Sequence, residues 1–205
     1  MKPIIITIGR EFGSGGRLVA HRLSEVLHIP YYDREIIQAV AKQTGLSEQY
    51  IRTVDQRPTN SFIYDLYCAI QTPSIPDQVF IAQSKVIKEA AERGSCVIVG
   101  RCADYVLRDR DNLLRVFVTA PIDQRVRRAR EVYQVEAANV EGYVIKQDKC
   151  RASYYNYFST ERWGDRSCYD LCVNSRIGIE QTVAVIQTAF QALQEEGTEK
   201  GAHSD

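Results

Sequence analysis

The first residues with chemical potential lie near the amino terminus, in Arg10-Glu11-Phe12-Gly13-Ser14-Gly15-Gly16-Arg17-Leu18. Glycine lets a backbone curl until successive N–H groups point at one anion, and a helix starting there adds the positive end of its dipole. The loop follows an apolar run, "PIIITIG" (3–9), and precedes an amphipathic one (15–27) with Leu18, Val19, Leu23, Val26 and Leu27 on one side. That order, strand then glycine cluster then helix, is the order of a phosphate-binding loop. The common pattern G-x-x-x-x-G-K-[ST] is not met. Counting back from Gly15, Arg10 stands at the first glycine, and Gly16 and Arg17 stand at the lysine and the hydroxyl. Two jobs are therefore open: neutralising charge at the outer phosphates, and supplying a protein ligand for Mg²⁺. Arg17 and Arg10 are candidates for the first. Ser14 or water is the candidate for the second, since Mg²⁺ readily keeps several waters.

The elements that must position such a loop are legible further on. "IPYYD" (29–33), "SCVIVG" (95–100), "LLRVFVTA" (113–120) and "YDLCVNS" (169–175) join 3–9 as strand-like runs. Several are apolar almost throughout, as strands buried on both faces are. Helical spacing runs over 34–43, about 61–71, 77–93, 121–133, 138–158 and 179–195. Alternating strands and helices predict a parallel sheet covered on both faces. Two long helical excursions interrupt the alternation, one between 33 and 95 and one at roughly 125–165. The polar end, 196–205, is expected to be disordered.

Bulk properties narrow the class. The chain of 205 residues carries 26 basic and 26 acidic side chains, so charge gives no reason to expect a nucleic-acid or membrane partner. A single domain of this size buries about 70% of its unfolded surface and needs no metal or disulfide to fold. The first apolar run is too short for a secretory signal, and no stretch approaches about 18 apolar residues, so the expected location is the cytoplasm. Six cysteines form no C-x-x-C pair and read as reduced thiols.

Three separated segments carry a resemblance. "ITIGREFGSGGRLVAHRLSEVLHIPYYDREII", "VIVGRCADYVL" and "DKCRASYYNYFSTERWGD", in this order, are similar to the cytidylate kinase-like family of bacterial proteins, within the nucleoside monophosphate kinase group of P-loop kinases. The resemblance implies an α/β three-layer sandwich of P-loop kinase type. Its five-stranded parallel sheet would carry a helical monophosphate-binding insert (about 34–94) and a mobile arginine-bearing lid (about 134–165), in one domain over 1–195. It also implies the reaction, phosphoryl transfer from ATP with Mg²⁺ to CMP or dCMP. For ATP it implies Arg10, Gly13, Ser14, Gly15, Gly16, Arg17 and Leu18 of the loop, with Arg125 and Arg128 of "QRVRRAR". For the acceptor it implies Asp33 and Arg34 in "YYDRE", Arg101 in "VGRCAD", and Asp148 and Arg151 in "DKCR". Arg17, Arg128 and Arg151 would act on the transferring group. Asp148 would accept the amino group of cytosine.

Arginine suits this work because its planar fork grips phosphate through two donors and keeps its proton. Each residue also has a plainer role open to it. The arginines of "RVRRAR" suit a solvated helix face, Arg101 a structural pairing, Asp148 and Arg151 a surface ion pair, and Asp33 a helix cap. "YYNYF" (154–158) and Trp163 suit packing better than base stacking. Val99 and Cys102 stand where true cytidylate kinases flank the acceptor arginine with acids, which leaves open a different small acceptor. Gly16 in the lysine position leaves open a nucleotide-binding regulator with little turnover.

Overall fold

The computed structural model describes residues 2–56 and 74–202. The helix expected over 61–71 lies outside the described residues. Five parallel strands form the sheet: β1 (Ile5–Arg10), β2 (Tyr31–Tyr32), β3 (Cys96–Val99), β4 (Leu113–Thr119) and β5 (Leu171–Asn174), in the order β2-β3-β1-β4-β5. The central strand, β1, pairs Ile5 with Cys96 on one side and with Leu113 on the other. Because side chains alternate along a strand, Ile4, Ile6 and Ile8 enter one core. There they meet Val97, Val99, Val116 and Val118, under α1 (Gly16–Leu27) and α8 (Ile179–Ala202). Ile5 enters the other core, with Ile98 and the buried faces of α2 (Arg34–Thr44), α3 (Glu48–Gln56) and α4 (Ile75–Glu92). Fully burying a side chain of this size contributes about 1.5–3 kcal/mol. These two layers give the sheet the rigidity on which its loops depend.

The first excursion is the trio α2, α3 and α4. Gly45, at φ 73, ends α2 in the left-handed region, and Ser74 with Asp77 caps α4 reciprocally. Periodicity missed α3 because only Ile51 and Val54 mark its buried side. The second excursion is one long helix, α7 (Val140–Phe158), after α6 (Ile122–Glu131). Helix α7 shows little one-sided patterning because it contacts both α6 and α3. A short α5 (Ala103–Val106) follows β3. The polar end differs from expectation: α8 continues through Ala202, since Gln194, Glu195, Glu196, Glu199 and Lys200 are good helix formers whatever their polarity. The described cysteines are free thiols, and burial pushes that of Cys96 up to about 12.

Candidate active site

The glycine loop joins β1 to α1 and is braced from three sides. Gly13 and Gly15 adopt φ of 80 and 81. A Cβ on Gly13 would fall 2.5 Å from the Arg125 carbonyl oxygen, so only glycine lets the start of α6 lie against the loop. Ser14 is fully buried. Its N–H and its hydroxyl both donate to the Glu11 carbonyl, at 3.3 and 2.9 Å, while its Oγ accepts the Gly16 N–H at 3.3 Å. Through these bonds the Ser14 oxygen holds the loop's shape.

Arg125 and Asp148 are also spent on the loop. Arg125 Nε donates to the Phe12 carbonyl at 2.8 Å, and its Nη1 pairs with Glu11 at 3.2 Å. Asp148 accepts the Phe12 N–H at 2.6 Å, and Arg125 Nη2 closes the ring by donating to Asp148. Both backbone polar groups of one residue are thus held by a buried ion pair drawn from α6 and α7. The Phe12 ring stands edge-on to Tyr133 and Tyr143, with centroids at 5.7 and 5.6 Å. Burial holds the Glu11 carboxyl above its usual range, against the downward pull of the Ala120 amide and Arg125. Arg128 donates to the Gly13 carbonyl, and its guanidinium carbon would lie 3.2 Å from a Cβ on Gly15. In this structure Asp148, the residue expected to meet cytosine, and Arg125, expected to meet ATP, both brace the loop. Arg127 and Arg130 form the solvated face of α6.

Arg17 and Asp33 find one another. Arg17 Nε lies 2.8 Å from Asp33 Oδ2, just before the start of α2. Asp33 makes no side-chain cap; it also takes Arg101, whose Nη2 donates to the Asp33 carbonyl at 3.2 Å. Arg34 and Leu18 are exposed, so what Leu18 can offer an anion is its first-turn N–H.

A cavity of about 240 Å³ opens at the carboxyl ends of β1 and β3, where ligands of open α/β sheets bind. Arg10 from the loop, Arg101 from the β3–α5 turn and Arg151 from α7 all line it. Gly100, Arg101 and Cys102 take φ of 69, 57 and 53 in succession. Two of the three are not glycine, and each such residue costs about 1–2 kcal/mol in this region. This strained turn is what aims Arg101 inward. Arg151 Nη1 donates to the Arg10 carbonyl at 3.0 Å, and its guanidinium stands 5.3 Å above the Phe12 ring. Burial, then the positive charge of Arg10, lowers the Arg151 pKa to about 9. An arriving anion relieves both effects.

The far wall is acidic and aromatic. Asp104, Tyr154, Tyr155 and Trp163 line it, and the Tyr155 hydroxyl lies 3.0 Å from both Asp104 Oδ2 and Glu161 Oε2. The aromatics pack with Cys102 and also face the cavity. Asp104 and Arg52 of α3 were not singled out by sequence: Asp104 is the last residue of "VGRCAD", three after Arg101, and Arg52 looks like an ordinary helix-surface partner of Glu48. No group of three or more His, Cys, Asp or Glu side chains suited to a metal occurs among the described residues. Mg²⁺ suits this site as a companion of ATP, held by phosphate oxygens and water.

The sheet order, the glycine loop after β1 and the converging arginines define the fold of the P-loop kinases. A shikimate kinase from Bacteroides thetaiotaomicron shares this fold at a TM-score of 0.57 and 14% identity, over 92% of this chain and 98% of that one. The profile of the cytidylate kinase-like family matches residues 5–177, and the chain belongs to that family. A cytidylate kinase from Pyrococcus horikoshii is 27% identical over 194 residues, 93% of this chain and 90% of the relative. One from Methanopyrus kandleri is 23% identical over 203 residues, covering 94% and 95%. A crystal structure of an uncharacterized protein from Eubacterium ventriosum matches at 30% identity and a TM-score of 0.71, over 92% of this chain and 98% of that one. Among the described residues no helix is long and apolar enough to cross a membrane.

Proposed function

We propose that this protein is a cytoplasmic ATP-dependent nucleoside monophosphate kinase whose acceptor is CMP or dCMP. One observation carries the reading: arginines 10, 101 and 151, from three distant segments, line one cavity beside a glycine loop. Family membership and relatives named cytidylate kinase support it. The loop amides and the α1 N-terminus receive the ATP phosphates, while Arg128 holds the Gly13–Gly15 turn in shape. Arg101 grips the acceptor monophosphate. An oxygen of that monophosphate attacks the γ-phosphorus, the bond to the β–γ bridging oxygen breaks, and ADP leaves with the electron pair. Arg151 balances charge on the transferring group. Mg²⁺, when bound with ATP, supplies further charge neutralisation.

A coupled assay with ATP, Mg²⁺ and a panel of monophosphates tests the proposal. ADP should form with CMP or dCMP at many turnovers per enzyme; no ADP with either, at enzyme excess, overturns it. A second reading, a smaller hydroxylated acceptor, is favoured by the modest cavity and by the committed state of Asp148. Adding small polyols to the panel separates the two.

A further inference from the structure

The lysine position of the loop is Gly16, and another side chain already occupies the space above it. A Cβ on Gly16 would fall 2.6 Å from Arg10 Cβ and 3.2 Å from Arg10 Cγ. Side-chain carbons from the two positions cannot share that space, so lysine at 16 and arginine at 10 exclude one another. From this origin the Arg10 stem runs over Gly16 to Gly100, at the end of β3, where a Cβ would overlap Arg10 Nη1. Glycines from two separate strand ends therefore clear a track for one side chain. The Arg10 carbonyl is fixed by Arg151 Nη1 at 3.0 Å, and the guanidinium lines the cavity shared with Arg101. The other candidate, Arg17, is paired with a carboxylate, its Nε 2.8 Å from Asp33 Oδ2.

We propose that Arg10 is the side-chain cation for the outer phosphates of a bound nucleoside triphosphate, in place of the usual lysine. Gly16 is a glycine because the Arg10 stem lies over it. Two of the three departures from the common pattern are linked: the first glycine has become the cation, and the cation has become a glycine. A guanidinium fork offers two donors to a phosphate where an ammonium offers a point charge. The inference rests on the nucleotide-binding reading above and assigns one role within it.

The test measures binding of a non-hydrolysable ATP analogue and of AMP by calorimetry, with thermal melts of every variant. Arg10→Ala should weaken the analogue at least about tenfold and leave AMP within about threefold, at a nearly unchanged melting temperature. Arg10→Gly with Gly16→Lys, which rebuilds G-x-x-x-x-G-K, should recover most of that affinity. Gly16→Ala should lower the melting temperature in the Arg10 chain and much less in the Arg10→Gly chain, where the nearest remaining atom is Val118 Cβ at 3.3 Å. Unchanged analogue affinity in Arg10→Ala, or an equal loss for AMP, overturns the proposal, as does a Gly16→Ala effect of the same size in both backgrounds. Should the double variant fail to fold, the analogue-against-AMP comparison in Arg10→Ala decides. A wild-type chain that binds the analogue without transferring phosphate removes the kinase reading alone. One that binds no triphosphate removes both.

Discussion

Asp148 and Arg125 are side chains that sequence marks for ligand contact and the fold uses as joinery. Together they hold the N–H and the C=O of Phe12, with side chains only 15% and 8% exposed. Breaking a buried pair by removing one partner costs about 3–5 kcal/mol, because the other charge is left stranded. Asp148→Ala should therefore lower stability by about 3 kcal/mol in denaturant melts and reduce turnover with CMP and UMP alike. A selective loss of cytosine preference with unchanged stability would restore the specificity role. Asp104 makes a different prediction. The single proton of the Tyr155 hydroxyl is shared between Asp104 and Glu161, and burial raises the Asp104 pKa. A carboxyl whose folded pKa exceeds its unfolded value contributes stability at low pH and loses it as pH rises from the ordinary carboxyl value through the raised one. Asp104→Asn should flatten the fall in stability as pH rises above the ordinary carboxyl value of about 4, measured by denaturant melts across the pH range. An unchanged slope would remove Asp104 as its source.

At the scale of elements, the loop works because α6 and α7 close on it. Gly13 is the contact point, with its left-handed φ and the Arg125 carbonyl where a side chain would begin. Gly13→Ala should cost about 1–2 kcal/mol from the backbone alone. It should also push α6 off the loop, raising the KM for ATP while the KM for the monophosphate holds. Melts and initial rates measure this; equal rises in both would show a general loss of structure. The strands and most helices were legible because their periodicity is local. Helices α3 and α5 were not, being short and sparsely apolar, and the run past 195 was misjudged because polarity does not prevent a helix.

For the whole molecule, the cavity of about 240 Å³ is below the roughly 300–1,000 Å³ of pockets that enclose drug-sized ligands. A donor and an acceptor nucleotide together should shift α7 from its contacts with Phe12 and Arg10. In hydrogen exchange, ATP analogue plus CMP should protect the loop amides over 12–18 and change exchange along α7, while the α1–α8 layer stays constant. An α7 insensitive to both ligands would mean that acceptors bind without that movement.

Sequence alone determined the alternation of strands and helices, the two helical excursions and the glycine loop. Each of these is written in residues within a turn or two of one another. Only tertiary structure decided which charged groups face the cavity and which are consumed in bracing it. Phe12 meets Arg125 and Asp148 across 113 and 136 residues, and Arg10 was told apart from Arg17 only when Asp33, Gly16 and Gly100 came together around them. An arginine has the same chemistry at every position; the fold fixes which groups surround it.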